Sequence, residues 1–302
     1  MSAKKSKPAP SSGLFSMLVS MISRGRWFVV AALFLVVAAV GWRLAWNRVR
    51  GHVLTDRDYQ LSPRDIVLSP LPPWIHTDLK TEVIRDASLD ASLSILDEDL
   101  TKRLANAFSL HPWIARVNRV SKHHPARVEV DLLYRQPVAM VEVSGGLLPI
   151  DGEGTLLPSE DFSPAEAKKY PRVARIQTHP IGPVGTNWGD VSVAGAAQIA
   201  KLLDDRWLKL KLYRVLAPVR GGSHDVDGYT YELLTHAGTR IIWGRPPGSE
   251  PTGELPALDK IALLERVVVE DGSLDGRGGP RLIDLRTGVA SGTPRTAVKQ
   301  AP

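Results

Sequence analysis

One uncharged run of sixteen residues, from Trp27 to Trp42 (WFVVAALFLVVAAVGW), restricts this chain more than anything else in it. Arg26 closes the run on one side and Arg43 on the other. As a helix it rises about 24 Å, slightly short of the ~30 Å hydrocarbon core of a bilayer. Leu44, Ala45 and Trp46 extend it, because the Arg43 side chain can reach back toward the interface. Trp27, Trp42 and Trp46 fall at the ends, where aromatic belts form. The pattern predicts a single helix over residues 26–46 whose partner is membrane lipid. A buried core helix is a poor alternative for a run this apolar with Arg at both borders. A cleaved signal peptide has a shorter apolar region and an A-x-A-like site, which Ala39-Val40-Gly41 matches badly.

Charge sets the orientation and removes one function class. Eight Lys/Arg and no Asp or Glu lie in residues 1–50; with +6 on the whole chain, the remainder is left near −2. The basic character belongs to the membrane flanks, not to a folded patch, so nucleic acid is not an expected partner. Five basic residues precede the helix and three follow closely, which puts the N-terminus (residues 1–25) in the cytoplasm and the body outside it. The apolar stretch 14–22 either lies on the membrane surface or lengthens the span. Residues 47–58 read as a polar linker.

The body reads as α+β in two units. In the first, residues 59–135, a short strand at 64–68 precedes the turn Ser69-Pro70-Leu71-Pro72-Pro73, and Thr77 is placed to cap a helix over 78–85. Leu96, Leu100, Leu104, Ala107 and Phe108 then recur at helical spacing behind Asp97, Glu98 and Asp99. Strands follow over 113–120 and 127–134, the second of which alternates strictly, and a further strand over 138–143 opens the next unit. The order is strand, helix, helix, strand, strand, with helices on one sheet face. The second unit, residues 136–290, carries the hairpin signal Asp151-Gly152, a helix over 191–203, strands over 210–216, 230–235 and 239–244, a helix over 258–269 and a last strand over 281–286. In the 258–269 helix the buried stripe reads Leu258, Ile261, Leu264, Val267 and Val268. Residues 291–302 read as a disordered tail.

Little in the sequence carries chemistry. There is no Cys, so thiol nucleophiles, disulfides and Cys-based zinc sites are excluded. The eight His make no H-E-x-x-H pattern, and no metal or cofactor is expected. No phosphate-cradling Gly loop and no G-x-S-x-G occur. Asp225-Val226-Asp227-Gly228 resembles part of a calcium loop but lacks the Glu at the required spacing, and reads as a polar turn. Asp204-Asp205 fits a helix end, and Trp113, Trp188, Trp207 and Trp243 are read as core filling. No enzyme and no small-molecule substrate are expected.

Several segments in order resemble the FtsQ/DivIB family of bacterial cell-division proteins. They are His111-Pro112-Trp113-Ile114, Pro125-Ala126-Arg127-Val128-Glu129-Val130, Tyr134-Arg135-Gln136-Pro137-Val138-Ala139 and Pro149-Ile150-Asp151-Gly152-Glu153-Gly154, then Trp243-Gly244-Arg245, Lys260 and Ile283-Asp284-Leu285-Arg286. The resemblance implies one membrane helix, a POTRA domain and a β domain, at the cell inner membrane and the division site. It also implies a non-catalytic divisome scaffold that binds FtsB/FtsL-type bitopic proteins by adding a partner strand to an exposed sheet edge. The stretch that matches the family's partner-binding strand is Arg286, Thr287, Gly288 and Val289, with Arg245 and Lys260 expected beside Arg286 as a basic rim for an acidic segment. Arg286 has a second reading as an internal partner of Asp284. The sequence departs from the family pattern at 69–73, where the usual V-x-G is missing, and in the Gly/Pro-rich insert 244–254. A different POTRA-bearing envelope-assembly or secretion component is the alternative, and an anchored hydrolase or sensor with a polar pocket is a third class.

Overall fold

The computed structural model describes residues 30–47, 58–89, 93–219, 229–276, 278–287 and 293–294. The sequence features at Trp27, 1–25, 14–22, 48–57 and Asp225-Val226-Asp227-Gly228 lie outside the described residues. Helix α1, Val30–Asn47, is apolar along its length, exposed throughout, and long enough to cross a membrane by length and composition. The rest is a sheet-rich α+β body with two buried cores.

The first core is built on a three-stranded sheet. Its strands are β2 (Ile66–Leu68), β5 (Arg127–Tyr134) and β4 (Ile114–His123), in that order, with β5 central. Alternation in β5 aims Val128, Val130 and Leu132 inward, where they meet helices α2 (Leu79–Asp86) and α3 (Leu100–Ser109) through Leu79, Val83, Leu100, Leu104 and Phe108. A separate two-stranded ladder joins β1 (Gln60–Leu61) to β3 (Leu93–Ser94).

The cap of α2 differs from the sequence reading. Asp78, not Thr77, is the N-cap, and its carboxylate accepts from the Thr81 amide at 3.2 Å and the Thr81 hydroxyl at 2.6 Å. Thr77 instead donates to Asp161, in the other half of the body. The Thr81 hydroxyl and amide hold the Asp78 carboxyl below its ordinary value of 3.8. A carboxyl lowered on folding stabilises above its unfolded value, and that stabilisation is lost as pH falls through the lower, folded value. Asp78→Ala is therefore expected to cost about 1 kcal/mol near neutral pH. The difference from the native chain should shrink below about pH 4, as urea unfolding at several pH values would show.

The second core lies under an eight-stranded mixed sheet. Its strands after β5 are β6 (Pro137–Val143), β7 (Gly146–Asp151), β8 (Arg172–Ala174), β9 (Leu212–Leu216), β10 (Tyr231–Thr235), β11 (Arg240–Gly244), β12 (Arg281–Asp284) and β13 (Thr293–Pro294). The spatial order is β13-β12-β11-β10-β9-β8-β6-β7, with β8–β9, β6–β8 and β11–β12 parallel. Register aligns Val141, Val173, Val215, Leu233, Ile241 and Ile283 into one buried row across six strands. Helix α5 (Val191–Leu202) and helix α7 (Ala257–Asp271) share that core, separated along the chain by the one-turn α6 (Asp204–Trp207). A further one-turn helix, α4 (Pro164–Ala167), starts at Ser163 in a capping box with Glu166.

One local expectation is met in part and two change. Asp151-Gly152 does fold residues 155–157 back antiparallel on 149–151, with the Asp151 amide donating to the Thr155 carbonyl, the Leu157 amide to the Pro149 carbonyl and a bridge from Ile150 to Leu156, but the return is too short to form a strand of its own and the ladder partner of β7 is β6, through a turn at 144–145. In α7 the buried stripe is Ala257, Lys260, Ile261, Leu263, Leu264 and Val267, while Leu258 is exposed. The tail is not structureless throughout, since Thr293 and Pro294 pair with β12. The four Trp read as core filling are all buried.

The two cores are joined by side-chain bonds. Asp161 accepts from the Trp113 indole Nε1 at 2.6 Å and from Thr77 Oγ1 at 2.6 Å, and its carbonyl oxygen meets His76 Nδ1 at 2.9 Å. Arg135 at the end of β5 pairs with Asp151 at 2.7 Å, and Trp74 Nε1 donates to the Arg135 carbonyl. Leu157, from beyond β7, packs in the first core.

Candidate functional site

The site is the end of the sheet where the parallel strands β11 and β12 both finish. Their register sets Ile242 beside Asp284, and the Leu285 amide extends the pairing by donating to the Ile242 carbonyl at 3.0 Å. Two residues beyond that rung stand Gly244 and Arg286. Residues 42 apart in sequence thus end side by side because a β-strand–helix–β-strand crossover makes the strands parallel.

Gly244 is required here. Its φ of +93° is in the left-handed region, and a Cβ would lie 2.2 Å from Glu254 Oε1. The chain then leaves the sheet, loops through the Gly/Pro-rich insert and returns. Glu254 accepts from the Arg245 amide at 2.7 Å and from Lys260 Nζ at 2.5 Å. Glu250 accepts from the Ala257 amide in the first turn of α7, where the helix leaves donors unpaired. The Leu255 amide donates to the Arg286 carbonyl at 2.9 Å, which ties the insert to the end of β12.

These contacts locate each residue of the expected rim. Lys260 is not on a rim: its side chain is fully enclosed, paired with Glu254, with Nζ 5.2 Å from the Trp243 ring centroid. Its charge is used inside the fold, because α7 turns position 260 rather than 258 toward the sheet. Arg245 is half-buried, with its guanidinium 4.5 Å from the Tyr229 ring. Arg286 is about one-third exposed and forks onto Asp284, with Nε 3.0 Å from Oδ1 and Nη2 2.7 Å from Oδ2. That pairing is the internal alternative the sequence offered. Thr287 closes the described stretch as an exposed residue; Gly288 and Val289 lie outside the described residues.

A set of charges missed by sequence reasoning occupies the sheet face opposite α5 and α7. Glu142 pairs with Arg172 at 3.5 Å and Arg214 at 2.9 Å, and both guanidiniums stack on Tyr213. Glu232 pairs with Arg175 at 3.5 Å and with Arg240. The signal was present in the alternation, since each of these residues except Arg175 neighbours a buried residue of the opposite face.

A groove of about 290 Å³ lies between the two cores, lined by Trp74, Phe162 and Tyr170 with Glu166 and Asp204. Burial, then the charge of Asp205, raises the Asp204 carboxyl, while hydrogen bonds from Ser163 lower that of Glu166. Both carboxylates have structural partners, Gln136 and the Ser163 cap. Among the described residues no group of three or more His, Cys, Asp or Glu could hold a metal ion.

The architecture is that of a sheet-rich α+β body behind one helix fit to span a membrane. No family model matches the chain. It is similar to the cell division protein FtsQ of Anaeromyxobacter sp. (strain K), at 32% identity over 122 residues. The match takes in 39% of this chain and 34% of that protein, so the chain spans about a third of the relative's length.

Proposed function

We propose that the chain is a non-catalytic, membrane-anchored cell-division scaffold of the FtsQ type. In this reading residues 59–135 form a POTRA-like domain and residues 136–290 a β domain, both held on the extracytoplasmic side by one helix. FtsB/FtsL-type bitopic proteins dock by main-chain pairing at the stretch Arg286, Thr287, Gly288 and Val289, just beyond β12. The observation that supports it is that the parallel strands β11 and β12 finish at the same end of the sheet, where Arg245 directly follows β11 and Arg286 closely follows β12. The similarity to an FtsQ protein supports the same reading.

The physical mode is strand addition, in which main-chain N–H and C=O groups give affinity and flanking charge selects the partner. Arg245 and Arg286 would face an acidic partner segment, and Lys260 acts from beneath by holding the insert through Glu254. Arg286→Glu is expected to slow capture of the bitopic partner on the order of tenfold at low salt, and much less at high salt.

The deciding experiment places a photo-crosslinker at Arg286 or Thr287 in living cells and images the protein. Crosslinks to a bitopic partner and enrichment at midcell are expected. A uniform envelope distribution without such crosslinks would overturn the assignment.

A further inference from the structure

We propose that the groove between the two cores is a docking site for an extended, proline-rich segment bearing Lys or Arg, carried by another protein. The inference goes beyond the docking near Arg286 and does not depend on it. The turn Ser69-Pro70-Leu71-Pro72-Pro73, where the sequence departs from the family pattern, brings Pro73 and the adjoining Trp74 to the groove. The second unit supplies Phe162, Tyr170 and Pro171, and Leu208 stands just beyond α6.

Aromatic and proline rings in one groove are the surface that a polyproline II segment docks on. Such a segment is extended in advance and has no internal hydrogen bonds, so it loses little freedom on docking and brings unpaired carbonyls with it. Trp74 is fixed for this role, because its indole N–H donates to the Arg135 carbonyl at 3.0 Å, at the joint between the units. Phe162 meets Tyr170 edge-on, with ring centroids 5.7 Å apart. The half-buried Tyr170 hydroxyl has no hydrogen-bond partner among the described residues, and it is the donor that a carbonyl of the incoming segment would meet. A sugar chain also stacks on aromatic rings, but it needs polar groups along its length, and Pro73, Pro171 and Leu208 supply none.

Charge selects the sign of the segment. Glu166 from α4 and Asp204 from α6 line the same groove. Each commits one carboxylate oxygen within the fold, Glu166 Oε2 to Ser163 and Asp204 Oδ2 to Gln136, which leaves the other for a cation. Burial, then the charges of Asp204 and Glu166, raises the Tyr170 hydroxyl above its ordinary value of 10.0. The field there is therefore negative, although Lys169 and His76 also line the groove.

Calorimetry on the full chain in detergent tests this with three probes: an oligoproline peptide flanked by Arg, its Glu-flanked counterpart, and an N-acetylglucosamine oligomer. Expected is saturable binding of the Arg-flanked peptide, with affinity on the order of tenfold lower for the Glu-flanked one. Asp204→Lys should weaken the Arg-flanked peptide on the order of tenfold, and Tyr170→Phe about fivefold. Asp204 is exposed and Tyr170→Phe keeps the ring, so both variants retain the two cores. No saturable binding, equal affinity for the two peptides, or an affinity unmoved by both substitutions would overturn the proposal. Binding of the sugar oligomer in place of the Arg-flanked peptide would overturn it in favour of a glycan.

Discussion

Lys260→Ala is expected to destabilise the body by about 3–5 kcal/mol. The side chain is fully enclosed and its ammonium meets Glu254, itself nearly buried, against the Trp243 ring. Burying either charge alone is costly, and the pair is tolerated because each neutralises the other. Removing Lys260 leaves the Glu254 carboxylate inside with the Arg245 amide as its remaining donor. The insert should then loosen and release Leu255 from the Arg286 carbonyl. Lys260→Met combined with Glu254→Gln keeps the volume and an acceptor for Arg245 without buried charge, and should recover most of the loss. Urea unfolding of the full chain in detergent, followed by Trp fluorescence, checks both variants. A single substitution costing under about 1 kcal/mol would show that the pair is hydrated.

Asp161→Ala is expected to cost about 3–6 kcal/mol, from two hydrogen bonds to a charged acceptor worth roughly 1.5–3 kcal/mol each. The Trp113 indole is wholly buried, so its N–H would lose its partner without gaining water. Asp161→Asn keeps one acceptor oxygen and should cost about half as much. Because the carboxylate bonds one core from the other, unfolding should also separate into two steps, seen as non-coincident Trp fluorescence and circular dichroism transitions.

Local periodicity made much of the fold legible. The alternation of 127–134 and the helical spacing of Leu100, Leu104 and Phe108 are decided by burial of one face, which neighbouring residues reveal. What failed depended on residues distant in sequence. Leu258 looked like the better core residue than Lys260 because nothing local shows that Glu254 will fold back over Gly244 to receive the ammonium. Thr77 and Asp78 are both good caps; Asp161, over eighty residues on, claims the first and leaves the second to α2. Of the candidate site, Arg245 and Arg286 could be picked out only through family resemblance, since the crossover that brings the ends of β11 and β12 together is a tertiary event. Thr293 and Pro294 carried no strand signal, because a two-residue ladder leaves no alternation of apolar and polar residues to read.

The contact between Asp161 and Trp113 has a consequence for heredity. Residue 136 looks like a natural seam, yet an exchange there would bring an indole and a threonine from one lineage against a loop from another. Unless both parents carried matching partners, the hybrid would inherit buried donors with nothing to receive them. The piece that can move intact between genomes is then the whole body, not either half.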